Sequence, residues 1–366
     1  MRRIVALLAL VGCSSNPAEP TTEPDLAEDL STADAPTASE DAPADSAADS
    51  PGDSADDLGE PETTDVGETE GVDLGASEVV DLGEPEVADV DDTPLRPSFQ
   101  GCDRYAEPRR TGVLPVEIPE LSGLAVSVSD PEIIWGHNDS GDGATVYGFD
   151  AAGTLLATVE LSGVIALDWE DMAAGACGDE ECLYVADIGD NLRLRPWVSV
   201  HRFVLPDIES GAAPVELTVE VETARLEYPD GNHDAEALVV DADGRLVVLT
   251  KDGRILTVFA AEFSTEDNVT MTLLGSLDIR DTETSMAALV TGADILLRDR
   301  LLVRTYETAF EYDLDGGLVS AAFEVTPTLV PVASERQGEA IAYGAGGFWH
   351  ASEDLGAAIS FVGCAE

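Results

Sequence analysis

Ser122-Gly123-Leu124-Ala125, Glu170-Asp171-Met172-Ala173, Ala235-Glu236-Ala237-Leu238 and Gly338-Glu339-Ala340-Ile341-Ala342 are versions of one short motif. Met286-Ala287-Ala288-Leu289 reads as a weaker fifth copy. The copies recur at intervals of roughly 50 to 65 residues, the size of a repeated supersecondary unit. Between them lie short β-prone runs at 132–135, 144–149, 182–186, 198–204, 215–221, 245–249, 255–259 and 301–305. The turns carry Asp and Gly, as in Asp150-Ala151-Ala152-Gly153, Asp241-Ala242-Asp243-Gly244 and Asp313-Leu314-Asp315-Gly316. Gly there supplies the positive φ that hairpins need. No long amphipathic helical window appears. About four strands per interval make one propeller blade. The expected fold is all-β, a five-bladed β-propeller, or a six-bladed one if the long 170–235 interval hides another blade. The segment 102–119, including 113–118, is available as an outer strand that closes the ring.

The 366 residues include 74 acids and 18 bases, a net charge of −56. That excludes a general nucleic-acid binder, because phosphate contacts need Lys and Arg. It also argues against electrostatic docking on an anionic membrane. The charge is unevenly spread. Residues 14–95 hold 26 acids, no base and no aromatic residue, and 96–366 remain at −32. A segment of Ala, Asp, Glu, Pro, Ser, Thr and Gly cannot bury enough surface to offset its chain entropy. We read 14–95 as a disordered acidic tether with a root-mean-square span on the order of 50 Å. Asp-Leu-Gly-Glu-Pro-Glu at 57–62 recurs at 81–86, and a weak calcium-binding tail is the alternative reading. The folded domain is expected over 96–366.

Residues 1–13 read as an export signal. Arg2 and Arg3 precede a short apolar run over 4–11. Leu10-Val11-Gly12-Cys13, followed by Ser14, resembles the lipobox of bacterial lipoproteins. The resemblance implies that Cys13 is lipidated and becomes the mature N-terminus. The protein is then exported and lipid-anchored, at the outer membrane or in the periplasm. Export places the other cysteines in an oxidising compartment. Cys102 opens the domain and Cys364 ends it, and a propeller brings its ends together, so Cys102–Cys364 is expected as a clasp. Cys177 and Cys182 flank a hairpin-sized gap and are expected to pair. No Cys-x-x-Cys occurs and the four His are far apart, so a zinc site finds no support.

The first strand of each blade lines a propeller's channel, and the repeat motif sits on that strand. This places Asp168, Glu170, Asp171, Asp234, Glu236 and Glu339 near one mouth. Crowded carboxylates need a cation, Arg residues or shared protons. An oxygen-only cluster suits calcium. Asp187, Asp190 and Asn191 join this expected ligand set, because Asp187-Ile188-Gly189-Asp190-Asn191 follows an apolar strand. Asn138 and Asp139 are either turn residues or mouth ligands. His233, beside Asp234, is the histidine best placed for a site. Lys251, the sole lysine, with Arg195 and Arg304, could balance the acids or hold a ligand. The spacing from Asn138 fails as an EF-hand, since Phe149 stands at position twelve. No Gly-x-Ser-x-Gly elbow, Walker loop or dinucleotide fingerprint is present.

His137-Asn138-Asp139-Ser140-Gly141, Asp168-Trp169-Glu170-Asp171, Asp187-Ile188-Gly189-Asp190-Asn191, Asp234-Ala235-Glu236-Ala237-Leu238, Thr250-Lys251, Arg304-Thr305-Tyr306 and Gly338-Glu339-Ala340-Ile341 form an ordered series. The series resembles a largely uncharacterised group of exported bacterial β-propeller lipoproteins, distantly similar to the calcium-dependent alkaline phytases. The likeness covers about 120–355. The expected function is a binding or interaction module with a calcium-holding mouth and a protein or small-molecule ligand. One alternative is a metal-dependent phosphoesterase, which the resemblance to phytases implies; the other is a purely structural surface protein. The expected partners are a membrane, through the lipid anchor only, and that ligand; nucleic acid is excluded and a monomer is expected.

Overall fold

A computed structural model describes residues 99–139, 141–208, 213–279 and 289–366. The export signal, Cys13 and the acidic stretch 14–95 lie outside the described residues, as do Ser140 and Met286 to Ala288. None of the helices among the described residues is long and apolar enough to cross a membrane.

The chain opens with β1 (Arg109–Val113) and then runs through five antiparallel units. The first blade is β2 (Leu121–Val126), β3 (Ile134–Asn138), β4 (Thr145–Phe149) and β5 (Leu155–Leu161). The second begins with β6 (Trp169–Cys177), β7 (Glu180–Asp187) and β8 (Val198–Val204). The chain then leaves it: β9 (Val215–Val219) adds to the edge of β5 in parallel, before β10 (Glu222–Glu227) returns to pair with β8. This excursion accounts for the long 170–235 interval, so the blade number is five, not six. The third blade is β11 (Ala235–Val240), β12 (Leu246–Thr250) and β13 (Ile255–Ala261), then, after β14 (Val269–Thr270), β15 (Thr272–Asp278). The short β14 pairs in parallel with β10 of the second blade. The fourth blade is β16 (Val290–Leu296), β17 (Arg300–Thr305), β18 (Ala309–Asp313) and β19 (Thr328–Val330). The fifth is β20 (Gly338–Gly344), β21 (Gly347–Ser352) and β22 (Ala358–Gly363), completed by β1 from the other end of the chain. The closing strand thus lies within 102–119 as expected, but over Arg109–Val113, with the later residues 114–118 outside it.

The inner strands pack in a ring: β2 on β6, β6 on β11, β11 on β16, β16 on β20 and β20 on β2. There are five apolar cores, one between each pair of neighbouring blades. On β11 the alternation is plain. Ala237 and Val239 face the fourth blade, while Leu238 and Val240 face the second. Both faces of a blade are therefore dry, which explains why its strands read as continuous apolar runs rather than alternating ones. The turns conform to their sequence signals. Gly153 has φ +85°, and a Cβ there would fall 1.7 Å from the carbonyl oxygen of Val113 on the closing strand. Both expected disulfides are present, Cys102–Cys364 and Cys177–Cys182.

Candidate functional site

Each inner strand carries a register slip near its start: between Leu121 and Leu124, Trp169 and Asp171, Ala235 and Ala237, Val290 and Gly292, and Gly338 and Ala340. A bulge re-aims the extra residue. The re-aimed position is Ser122, Glu170, Glu236, Thr291 and Glu339 in the five blades. The fourth copy of the motif is therefore Val290-Thr291-Gly292-Ala293, four residues beyond the stretch suggested by the sequence, with Thr in place of the acid. A second ring comes from the residue just after each second strand: Asp139, Ile188, Lys251, Tyr306 and Glu353. The second blade, with Ile188 at that position, contributes Asp168 and Asn191 instead.

Apart from Ile188 and Thr291, these residues line a polar cavity of about 260 Å³ at one mouth of the channel; Thr291 is buried and donates its hydroxyl to the carbonyl of Gly338. The cavity lining includes Asp139, Asp168, Glu170, Glu236, Glu339 and Glu353, with Lys251 as the one basic residue among the described residues. Among the described residues, Asp139, Asp168 and Glu170 bring their ligand atoms within 4.8 Å of one another. Lys251 Nζ bonds Glu236 and lies 5.3 Å from the centre of the Tyr306 ring. Gly189 floors the acid cluster. A Cβ on it would fall 2.1 Å from Glu170 Oε1 and 2.5 Å from Asp168 Oδ2, so no other residue fits without displacing them.

Crowding and burial disfavour the charged carboxylates. Burial, then Asp139, pushes Asp168 up to about 6. Burial and the neighbouring Glu236 hold Glu170 well above the usual range. Burial raises Glu236 to about 7, although Lys251 opposes it. Burial, with Glu236 beside it, lifts Glu339 to about 9. Burial opposes the charge on Lys251, but Glu236 more than compensates and keeps it an ammonium.

The other sequence candidates occupy different places. Asp171 is fully buried inside the channel and accepts backbone N–H groups from Met172, Leu238 and Ala293. It joins three blades, with no oxygen turned to the mouth cavity. Asp187 accepts the amides of Leu167 and Asp168 and pairs with Arg195 at 2.7 Å. Arg195 also donates to the carbonyl of Gly189. The pair sits behind the mouth and shapes the Asp168 segment. Asp190 caps its own loop through Leu194 N and Arg195 N, and Asp234 accepts Asp190 N. His233 lies between Asp230 and Asp252. Asn138 ties down the preceding segment, accepting Glu120 N and donating to the carbonyl of Glu117 and to Asp142. Arg304 is wholly buried against Glu335, with His350 on the same carboxylate. The mouth thus retains Asp139, Asp168, Glu170, Asn191, Glu236, Lys251 and Glu339 from the expected set. Glu353, Tyr306 and Ser122 line it as well. Their signal was their repeated position in the blade, which emerges only once strand ends are known.

No protein-family model matches the sequence, and no curated protein matches it. Solved structures of similar shape include the PQQ-bound form of an aldose sugar dehydrogenase from Streptomyces coelicolor. It is 12% identical, with 70% of this chain and 98% of that one covered at a TM-score of 0.38. A streptogramin B lyase is 10% identical, with 70% and 97% covered and a TM-score of 0.37. A gluconolactonase from Xanthomonas campestris is 11% identical, with 72% and 98% covered and a TM-score of 0.38. Likeness at this level carries no argument about chemistry.

Proposed function

We propose that this protein is an exported, lipid-anchored binding module whose channel mouth holds a divalent cation, calcium, beside its ligand. The observation that supports the reading is the approach of Asp139, Asp168 and Glu170 to within 4.8 Å. Among the described residues the cavity lining holds no His or Cys, and an oxygen-only donor set suits a hard cation. Calcium takes six to eight oxygens, so three carboxylates leave positions for water and for a ligand's own oxygen. The phosphoesterase alternative has less behind it. Phosphate needs several cations, and Arg195 and Arg304 are committed to Asp187 and Glu335.

The test is thermal unfolding of the full chain with calcium and with chelator. Binding to the native state alone adds about 2.7 kcal/mol at a hundredfold excess over Kd, a rise on the order of 5 °C for a domain of this size. Glu170→Gln should abolish the rise. The effect has a pH signature. The folded-state values near 6, 7 and 9 for Asp168, Glu236 and Glu339 exceed their ordinary values of 3.8, 4.5 and 4.5. The metal-free fold therefore holds protons that the unfolded chain releases. That contribution is complete below the ordinary values and is lost as pH rises through about 6 to about 9. Calcium needs the charged carboxylates, so its stabilising effect should widen over the same window. No thermal shift and no bound metal at any pH would overturn the calcium reading.

The anchoring proposal rests on Cys13 in its lipobox-like setting. Cys13→Ala should move the protein from the membrane fraction to the soluble fraction and end incorporation of labelled fatty acid. Membrane retention in that variant would sink it.

A further inference from the structure

Two loops beside the mouth present large apolar side chains to solvent. Ile165 and Leu167 precede the second blade, at 76% and 59% exposure, and Leu192 and Leu194 follow its second strand, at 78% and 73%. The loops are bonded to each other through Gly189 N to the carbonyl of Asp168 and Leu167 N to Asp187. The 188–197 loop is also tightly braced. Asp190 accepts Leu194 N and Arg195 N, Arg195 grips the carbonyl of Gly189, and Asn232 donates to the carbonyl of Arg193. Val116, in the segment before the first blade, and Leu355, two residues beyond Glu353 of the lining, are 77% and 70% exposed.

We infer that this apolar collar around an acidic mouth is a docking surface for a basic, apolar peptide segment of a partner protein. Charge complementarity selects the occupant. Among the described residues six carboxyl groups and one lysine line the cavity; when ionised, the six carry twice the charge that a divalent ion and Lys251 together offset. The chain's own tether carries 26 acids and no base over 14–95, so it is repelled, as is a second copy at −56. Exposed apolar patches next to a charged pocket mark recognition sites. The inference extends the reading of the mouth as the binding face and does not depend on which ion it holds.

The test uses the full chain and a labelled octapeptide of alternating leucine and arginine, read by fluorescence anisotropy in calcium and in chelator. Alternating serine–arginine and leucine–glutamate octapeptides are the controls. The leucine–arginine peptide should bind about tenfold more tightly than either. Leu192→Asp with Leu194→Asp should weaken it about tenfold, with an unchanged melting temperature. The added negative charge would strengthen a purely electrostatic contact, so the two explanations predict opposite signs. Equal binding of the serine–arginine peptide, or undiminished binding by the variant, overturns the proposal. Sedimentation with phosphatidylglycerol vesicles that depends on the same leucines, without peptide binding, also overturns it and assigns the collar to a membrane. A calcium-induced thermal shift without peptide binding would defeat this proposal and leave the cation site standing.

Discussion

Replacing Cys102 and Cys364 together with serine is expected to destabilise the fold by about 5 kcal/mol. The pair is separated by 262 residues. In the chain-entropy account the stabilisation grows with the logarithm of the closed loop, and nearly the whole domain lies inside this one. The local structure shows what the bond secures. The fifth blade is assembled from both ends of the domain, with β1 paired to β22 and Tyr105 bridged to Cys364. Ala106 N donates to the carbonyl of Gly363, and Ala365 N to that of Arg104. The adjoining core between the fourth and fifth blades is reinforced by polar contacts. Glu311 accepts from Tyr105, Tyr343 and Arg300, and Arg300 also holds the carbonyl of Cys102. An open ring must find these contacts without the covalent tie. The melting temperature of the double variant should fall by roughly 10–20 °C. The pair Cys177–Cys182 spans only 5 residues inside the β6–β7 hairpin. Its removal should cost no more than about 2 kcal/mol. Equal losses for the two disulfides in thermal unfolding would refute the clasp.

Asp171→Ala is expected to cost about 3–5 kcal/mol, because buried donors left without acceptors each cost about 1–3. Asp171 Oδ2 accepts Leu238 N at 3.0 Å and Ala293 N at 3.1 Å, and Oδ1 accepts its own neighbour Met172 N at 2.8 Å. The equivalent positions in the other blades are Gly123, Ala237, Gly292 and Ala340, all small. Their smallness lets the strands close on one carboxylate. A Cβ on Gly123 would lie 2.4 Å from His137 Nε2, and one on Gly292 2.8 Å from the carbonyl oxygen of Glu339. Burial pushes the Asp171 carboxyl up while the three amides pull it down. Asp171→Asn retains one acceptor oxygen and should recover part of the loss. The readout that separates a structural hub from a metal ligand is the calcium response. Asp171→Asn should melt lower yet keep its calcium shift, whereas Glu170→Gln should lose the shift with a smaller loss of stability. The reverse pattern would exchange their roles.

The blade count was legible because each blade repeats its inner strand, and the motif at 122, 170, 235 and 338 marks four of the five. The copy in the fourth blade is displaced from its expected stretch, since its acid is replaced by Thr291 and only register identifies it. The disulfides were legible because a closed ring brings residues 102 and 364 together and a hairpin brings 177 and 182 together. The site was legible in outline alone. Glu170 and Asp171 are adjacent and both acidic, yet one faces the mouth and the other three backbone amides. Nothing in their order distinguishes them, because the distinction lies in a register slip between Trp169 and Asp171.

Local sequence determined the strands, the turns, the number of units and the acidity of their inner ends. Those properties follow from short β-prone apolar runs, turn chemistry and repetition, each carried within a few residues. Only the tertiary structure decided which acids share the cavity. Residues from Asp139 to Glu353 meet there because five blades close on one axis, and a single bulge turns a side chain from the channel to its mouth. The same closure commits Arg195 and Arg304 to Asp187 and Glu335 and leaves Lys251 as the one basic residue lining the mouth among the described residues.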